Sequence, residues 1–153
     1  MIIEVDVNLL EYPLDGFIHS CNAFCCFGGG IALTIKNKYL ELYEADVKFA
    51  RRGDFSKLGK FSTVKCHDDK QGYNLYGQYN FGMEKRQTNY EAIYNGLSLI
   101  REHAELNNIL KLGLPKNMGC VLGGGSWRVV SAMIYDIFET NSNINLYICN
   151  YQG

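Results

Sequence analysis

Two runs of three glycines are the segments of this chain best suited to bind a ligand through backbone chemistry. Positions 28–30 and 123–125 each follow a segment typical of a strand and precede one typical of a helix. A glycine loop leading into a helix N-terminus leaves backbone N–H groups unpaired, and the helix dipole adds positive charge there. Two such loops in one chain therefore predict a phosphate-containing ligand held by main chain from two sides.

The elements that must position these loops alternate between strands and helices. Residues 60–66 and 73–79 alternate like a hairpin at a sheet edge. The other predicted strands cover residues 5–10, 17–21, 109–114 and 144–149, and helices are predicted at 31–35, at 39–49, from Tyr90 (capped by Thr88 or Asn89) and after Ser126. This order predicts an α/β fold with three layers, α/β/α, around a mixed, mostly parallel sheet. Ligands bind at the carboxyl ends of strands in such sheets, where both glycine loops fall.

The chain length and net charge limit the number of domains and the kinds of partner that we expect. The 153 residues carry a formal net charge of -1 and fit one domain, residues 1–153. We expect no nucleic-acid or membrane partner, because no global field attracts either. Arg51, Arg52, Lys57 and Lys60 form a local basic stretch that is interpreted as a solvated face. The N-terminus has acids at Glu4 and Asp6 and no long apolar run, so we expect a cytoplasmic protein (host cytoplasm if the chain is viral). We also expect a monomer.

Six cysteines are interpreted as thiols, because nothing indicates an oxidising compartment. Cys21, Cys25 and Cys26 lie close enough in sequence to suggest a metal site. A matching Cys/His pair does not follow downstream, and His67 beside Cys66 is a poor second half. We therefore expect neither a metal nor a cofactor.

Two longer motifs give the chain a family resemblance. Asp-Gly-Phe-Ile-His-Ser-Cys-Asn at 15–22, followed by Phe-Gly-Gly-Gly-Ile-Ala at 27–32, resembles the first signature of macro domains. Leu-Pro-Lys-Asn-Met-Gly-Cys-Val-Leu-Gly-Gly at 114–124 resembles the second, and Trp127 stands where many bacterial members have tryptophan. The resemblance spans essentially the whole chain and is closest to the small ADP-ribose-1''-phosphate phosphatase branch, including viral members.

The resemblance implies a site for ADP-ribose. Asp6 matches the acid that accepts a hydrogen bond from the adenine amino group, with a cap near Asn8 as the alternative. Asn22 matches the asparagine that holds the terminal ribose and helps to orient water, with a turn-forming role as the alternative. Tyr151 matches an adenine-stacking aromatic, unless it belongs to a frayed tail.

The remaining site residues follow from the two signatures and the last strand. The glycine loops leave room for the distal ribose and wrap the diphosphate with N–H groups. The full set of expected ligand-binding residues is Asp6, Val7, Ser20, Asn22, Phe27, Gly28, Gly29, Gly30, Ile31, Met118, Gly119, Cys120, Val121, Leu122, Gly123, Asn150 and Tyr151.

Departures from the family pattern bear on mechanism. Several hydrolytic macro domains have histidine before the first glycine loop, where this chain has Phe27. Branches that remove ADP-ribose from protein or DNA pair a lysine near residues 77–80 with an acid in the second loop; here these positions offer Gln78 and Gly123. A covalent lysine mechanism is therefore not expected, since Lys85 lies beyond the strand without an evident acid partner.

His19 and Asn22 are the two candidate catalytic residues. A histidine can transfer protons near neutral pH, although His19 is equally interpretable as a strand-end residue bonded to backbone. The aromatic run of Tyr73, Tyr76, Tyr79 and Phe81 indicates sheet packing, with one ring available to wall the ribose pocket.

Three functions are consistent with this pattern. The first is slow hydrolysis of ADP-ribose 1''-phosphate to ADP-ribose and phosphate, by an oriented water with Asn22 holding the substrate and loop amides stabilising charge. The second is a non-catalytic module that binds ADP-ribose or a related signalling nucleotide. The third is an ADP-ribosyl hydrolase that acts on a macromolecule.

Overall fold

The chain folds into a six-stranded sheet with helices on both faces. The computed structural model describes residues 1–82 and 84–151. The strands are β1 (Ile2–Val5), β2 (Gly16–Cys21), β3 (Phe61–Lys65), β4 (Gln71–Tyr76), β5 (Lys111–Pro115) and β6 (Asn145–Cys149). The helices are α1 (Gly30–Lys38), α2 (Leu40–Phe49), α3 (Tyr90–Leu106) and α4 (Trp127–Phe138), with a short 3-10 helix at Phe55–Lys57. The strand order is β1-β6-β5-β2-β4-β3, and only the β3–β4 pairing is antiparallel.

The hydrophobic core has one half on each face of the sheet. One half contains Ile93 and Leu97 of α3 and Val130 and Ile134 of α4. The other contains Ile35 of α1 and buried residues of the first turns and α2. This confirms the predicted three-layer α/β/α fold and the edge hairpin.

The first strand is the element that the sequence prediction misplaced. A strand at residues 5–10 is wrong, because β1 ends at Val5 and a turn follows. The Asn8 side-chain oxygen accepts a hydrogen bond from the Leu10 N–H at 3.0 Å, and the Asn8 carbonyl accepts from the Tyr12 N–H at 3.0 Å. These local bonds compete with strand pairing, although Leu9 and Leu10 are buried and mimic a strand pattern.

Helix starts agree with the predicted boundaries. Asn89 caps α3, and its side-chain oxygen accepts a hydrogen bond from the Ala92 N–H at 3.0 Å. Ser126 stands at the N-cap of α4, but its side chain makes no capping hydrogen bond. Its N–H instead donates to the Tyr90 hydroxyl at 2.9 Å.

Three further findings concern membranes, cysteines and metals. No helix in the described part of the chain is both long and apolar enough to span a membrane. All six cysteines are free thiols. Within residues 1–82 and 84–151, no three His, Cys, Asp or Glu residues are grouped so as to hold a metal ion.

Candidate functional site

A cleft of about 520 Å³ opens at the carboxyl ends of β2 and β5. This volume suits a small organic ligand. It is lined by Ser20, Cys21, Asn22, Cys26, Phe27, Gly28, Gly29, Gly30, Ile31, Ala32, Gln78, Phe81, Gly82, Pro115, Lys116, Asn117, Met118, Gly119, Val121, Leu122 and Gly123. Both glycine loops contribute to it.

The two loops come close to each other across this cleft. The Leu122 side chain would lie 3.2 Å from a Cβ atom placed on Gly29 and 3.5 Å from one placed on Gly30. Side chains at positions 29 and 30 would therefore close the gap between the loops. Bare backbone keeps the gap open for a ligand.

Backbone donors face the cleft from the start of α1. Gly29 is the N-cap of this helix, and no side chain caps it. The first-turn N–H groups of Gly30, Ile31 and Ala32 have no intrahelical partner, and all three residues line the cleft. A helix start of this kind attracts an anion.

The second loop offers a matching set of donors. Among the described residues, the structure records no hydrogen-bond acceptor for the N–H groups of Val121, Leu122 and Gly123. These three residues also line the cleft. Unpaired main-chain donors thus lie on both of its sides.

Asn22 lines the cleft but is bonded mainly to its own loop. Its side-chain oxygen accepts hydrogen bonds from the Phe24 N–H at 2.9 Å and the Cys26 N–H at 3.3 Å. Its side-chain nitrogen donates to the Cys26 carbonyl at 3.0 Å. The turn-forming role is therefore present, and contact with a ribose stays a prediction.

His19 lies away from the cleft. Its ring is fully buried and its Nε2 donates to the Asn74 side-chain oxygen at 2.6 Å. Burial lowers the pKa of His19 to about 4, although the bond to Asn74 opposes this shift. A neutral, buried ring that does not line the cleft is not placed to exchange protons with a ligand there, so the structure does not support the predicted proton-transfer role. The bonding partner is the Asn74 side chain rather than the expected backbone.

Phe27 stands where several hydrolytic macro domains have histidine, and its surroundings are apolar. It is buried, and its ring packs edge-on against His19 at 5.2 Å and against Tyr43 at 5.3 Å between ring centroids. Phe27 therefore contributes apolar surface to the cleft, and its side chain has no acidic or basic group.

The expected adenine-binding residues lie beside the cleft rather than in its lining. Val5, Cys149 and Pro115 stand side by side in the sheet register, and Pro115 lines the cleft. Asp6 follows the first of these strand ends; its carboxylate accepts a hydrogen bond from the Asn150 side-chain nitrogen at 3.3 Å. Asp6 and Tyr151 are exposed, while Val7 packs against the core. Contact of these residues with adenine stays a prediction.

Cys120 is the one expected loop residue that does not line the cleft. Its thiol donates to the Met118 carbonyl at 3.4 Å, and its side chain packs against the core. Any contact from position 120 to a ligand would come from its backbone.

The charge on the cleft surface is sparse. Of the described lining residues, Lys116 alone has a charged side chain, and it is exposed. Burial raises the pKa of the Cys21 thiol well above its ordinary value, so this thiol stays protonated and unreactive at neutral pH. The described lining contains no carboxylate and no imidazole.

The chain is similar in sequence and fold to several known proteins. No protein-family model matches the sequence. The chain is 27% identical over 148 residues to "ADP-ribose glycohydrolase OARD1" from Homo sapiens, covering 95% of this chain and 90% of that protein. The macrodomain of Thermus aquaticus DarG aligns over 100% of this chain and 99% of its own, with a TM-score of 0.82 and 22% identity. The chain has the macrodomain fold.

A further solved structure is also similar to this chain. Thermosipho africanus DarTG, solved in complex with ADP-ribose, aligns with a TM-score of 0.79 and 20% identity. The alignment covers 97% of this chain and 41% of that one.

The macrodomain fold brings Gln78 and Gly123 together, although they are far apart in sequence. A Cβ atom on Gly123 would lie 2.9 Å from the Gln78 side-chain oxygen. Both residues line the cleft, while Lys85 is exposed and does not. The two positions where the resemblance would place a lysine and an acid are thus adjacent here, and they carry glutamine and glycine.

Several residues of the cleft lining are not predictable from the sequence. Phe81 was identified only as one of four aromatic residues; Tyr73 and Tyr76 are buried in the core, whereas Phe81 is half exposed and lines the cleft. Its position just after the end of β4 was the available signal. Ala32 and Gly82 carried no signal of their own, because contact through backbone leaves no mark on residue type.

Proposed function

We propose that this macrodomain binds ADP-ribose, either free or as the terminal unit of a larger molecule, without cleaving it. The observation that carries the proposal is the convergence of two loops whose unpaired N–H groups line one cleft. Main-chain donors on opposite sides suit a diphosphate, which is anionic at both phosphorus centres. The likeness to a structure solved with ADP-ribose supports this choice of ligand.

The proposed ligand orientation follows the layout of the cleft. The diphosphate lies between the loops, near Gly29 and Leu122. The adenine extends towards Asp6 and Tyr151, at the ends of β1 and β6. The terminal ribose lies near Asn22, at the end of β2.

Binding rather than cleavage is proposed because the described residues of the cleft lining include no lysine–acid pair and no other acid or base suited to cleavage. The relative OARD1 is named a glycohydrolase. A Gln78 amide cannot act as a nucleophile or base as a lysine does, and Gly123 has no side chain. Hydrolysis of ADP-ribose 1''-phosphate would equally need a group to activate water, and the described lining offers no carboxylate or imidazole. We therefore propose ADP-ribose 1''-phosphate as a ligand rather than an efficient substrate.

Calorimetry followed by product analysis tests this proposal. We expect saturable binding of one ADP-ribose per chain. We then expect neither phosphate from ADP-ribose 1''-phosphate nor ADP-ribose from a modified protein or oligonucleotide. A Gly29→Val variant, which fills the gap against Leu122, should lose binding, while the Ser98→Ala variant, at a partly exposed position of α3 outside the cleft lining, should retain it. Absence of binding by the wild type would refute the proposal, and catalytic release of either product would show that the protein is a hydrolase.

A further inference from the structure

Thr88 lies behind the second loop and is enclosed by that loop. It is 2% exposed and does not line the cleft. Its hydroxyl donates a hydrogen bond to the Gly119 carbonyl at 2.6 Å. The loop from Gly119 to Gly125 is therefore bonded to a side chain from another segment.

Three glycines of the loop pack directly on this side chain. A Cβ atom would lie 2.4 Å from the Thr88 hydroxyl oxygen at Gly123 and 3.1 Å from it at Gly119. At Gly125 it would lie 3.2 Å from the Thr88 methyl carbon. The glycines at these positions let the loop pack closely around Thr88, since any side chain there would collide with it or press on it.

Backbone hydrogen bonds close the loop around the same residue. The N–H groups of Gln87 and Thr88 both donate to the Gly123 carbonyl, at 2.8 and 3.1 Å. The Gly125 N–H donates to the Gly119 carbonyl at 3.0 Å. The loop's carbonyls thus bond to Thr88 and its neighbours, while the Val121 and Leu122 N–H groups have no recorded acceptor among the described residues.

We infer that Thr88 is a positioning residue that holds the second loop in its anion-binding shape before a ligand arrives. This inference rests on the proposed function, because it assigns Thr88 to binding of the diphosphate. A loop that is ordered in advance loses less conformational entropy on binding. Removing the hydroxyl should therefore weaken binding without any loss of a direct contact.

Two substitutions separate the hydroxyl from the shape of the side chain. Thr88→Val keeps the branched shape and loses the donor to Gly119; loss of one hydrogen bond predicts ADP-ribose affinity about tenfold lower. Thr88→Ser keeps the hydroxyl, and we expect it to stay close to wild-type affinity. The Gly119 carbonyl keeps its bond from Gly125 in both variants, so both should fold. If Thr88→Val does not fold, Thr88→Ala carries the same test.

Calorimetry with ADP-ribose and amide NMR of the free protein provide the readouts. In Thr88→Val we expect weaker binding together with line broadening at Val121, Leu122 and Gly123, and in Thr88→Ser neither change. Equal affinity of Thr88→Val and wild type would overturn the positioning role. Equal losses in Thr88→Val and Thr88→Ser would also overturn it, because the hydroxyl would then be irrelevant. Failure of the wild type to bind ADP-ribose would instead refute the proposed function itself.

Discussion

The side-chain oxygen of Gln78 lies 2.9 Å from the point that a Cβ atom on Gly123 would occupy. Positions 78 and 123 are therefore close enough for two side chains to interact. Gln78 has an uncharged amide, however, and Gly123 has no side chain. The same point is 2.4 Å from the Thr88 hydroxyl oxygen and 2.8 Å from the Gly119 carbonyl oxygen. Space for a carboxylate at position 123 is thus already filled.

Gly123→Ala is expected to destabilise the protein and weaken ADP-ribose binding. The added methyl group collides with backbone as well as with Thr88, and overpacking of this kind costs about 1–3 kcal/mol. Thermal unfolding and calorimetry measure the two effects. Gly28→Ala is the matched control for stability, because a Cβ there meets only the Cys26 sulfur, at 3.5 Å. Equal melting temperatures for the two variants would contradict the steric account.

Asn22→Ala should reduce both stability and affinity for ADP-ribose. The variant loses the three hydrogen bonds that join Asn22 to the backbone of Phe24 and Cys26, for which we expect about 1–2 kcal/mol of lost unfolding free energy. Urea unfolding and ADP-ribose titration are the measurements. Asn107→Ala, which removes a comparable side-chain bond to His103 at the end of α3, should leave affinity unchanged. A folded Asn22→Ala protein with wild-type affinity would exclude Asn22 from the site.

Burial of His19 predicts a loss of stability in acid. Its pKa lies at about 4 in the folded chain against an ordinary 6.5, because burial disfavours the charged ring. Below pH 6.5 the unfolded chain therefore binds a proton that the folded chain does not, and stability falls until the pH reaches about 4. The full shift corresponds to about 3 kcal/mol.

The His19 effect is measured as a difference between variants. Urea unfolding at several pH values should show a flatter profile for His19→Gln than for wild type between pH 6.5 and 4. Ser98→Ala, which removes no titratable group, is the control and should keep the wild-type slope. Parallel profiles for wild type and His19→Gln would show that His19 does not cause the acid sensitivity.

A buried ion pair contacts the segment that follows β2. Lys57 Nζ lies 2.9 Å from Asp46 Oδ1 with both side chains fully buried, and it also donates to the Ala23 carbonyl at 3.4 Å. Lys57→Met leaves the Asp46 carboxylate buried without its cationic partner, although the Tyr76 hydroxyl still donates to it, and this should cost about 3–5 kcal/mol. Urea unfolding tests this, and the Asp46→Asn/Lys57→Met double variant should recover much of the loss. A single variant as stable as wild type would contradict the prediction.

The fold was predictable where the spacing of apolar residues and a capping residue indicate the same helix start. The helical spacing that begins at Tyr90 and the Asn89 cap point to the same start, and the structure agrees. The turn after β1 was not predictable in this way, because Leu9 and Leu10 are buried without belonging to a strand. Burial and strand pairing are separate properties, and residue type reports mainly on burial.

The lining of the cleft was predictable where it consists of glycine loops, as at positions 28–30 and 123. It was not predictable where distant segments meet. The bond between His19 and Asn74 and the enclosure of Thr88 by the second loop depend on tertiary contacts that no local pattern encodes. Local sequence patterns therefore do not predict that His19 is buried outside the cleft lining or that Thr88 packs against the second loop.

A crystal structure of the protein with ADP-ribose tests the central claim most directly. The account predicts diphosphate oxygens within about 3.2 Å of main-chain nitrogens from both loops, at residues 29–32 and at residues 121–123. A diphosphate that contacts only one loop, or a ligand bound outside the cleft, would contradict it.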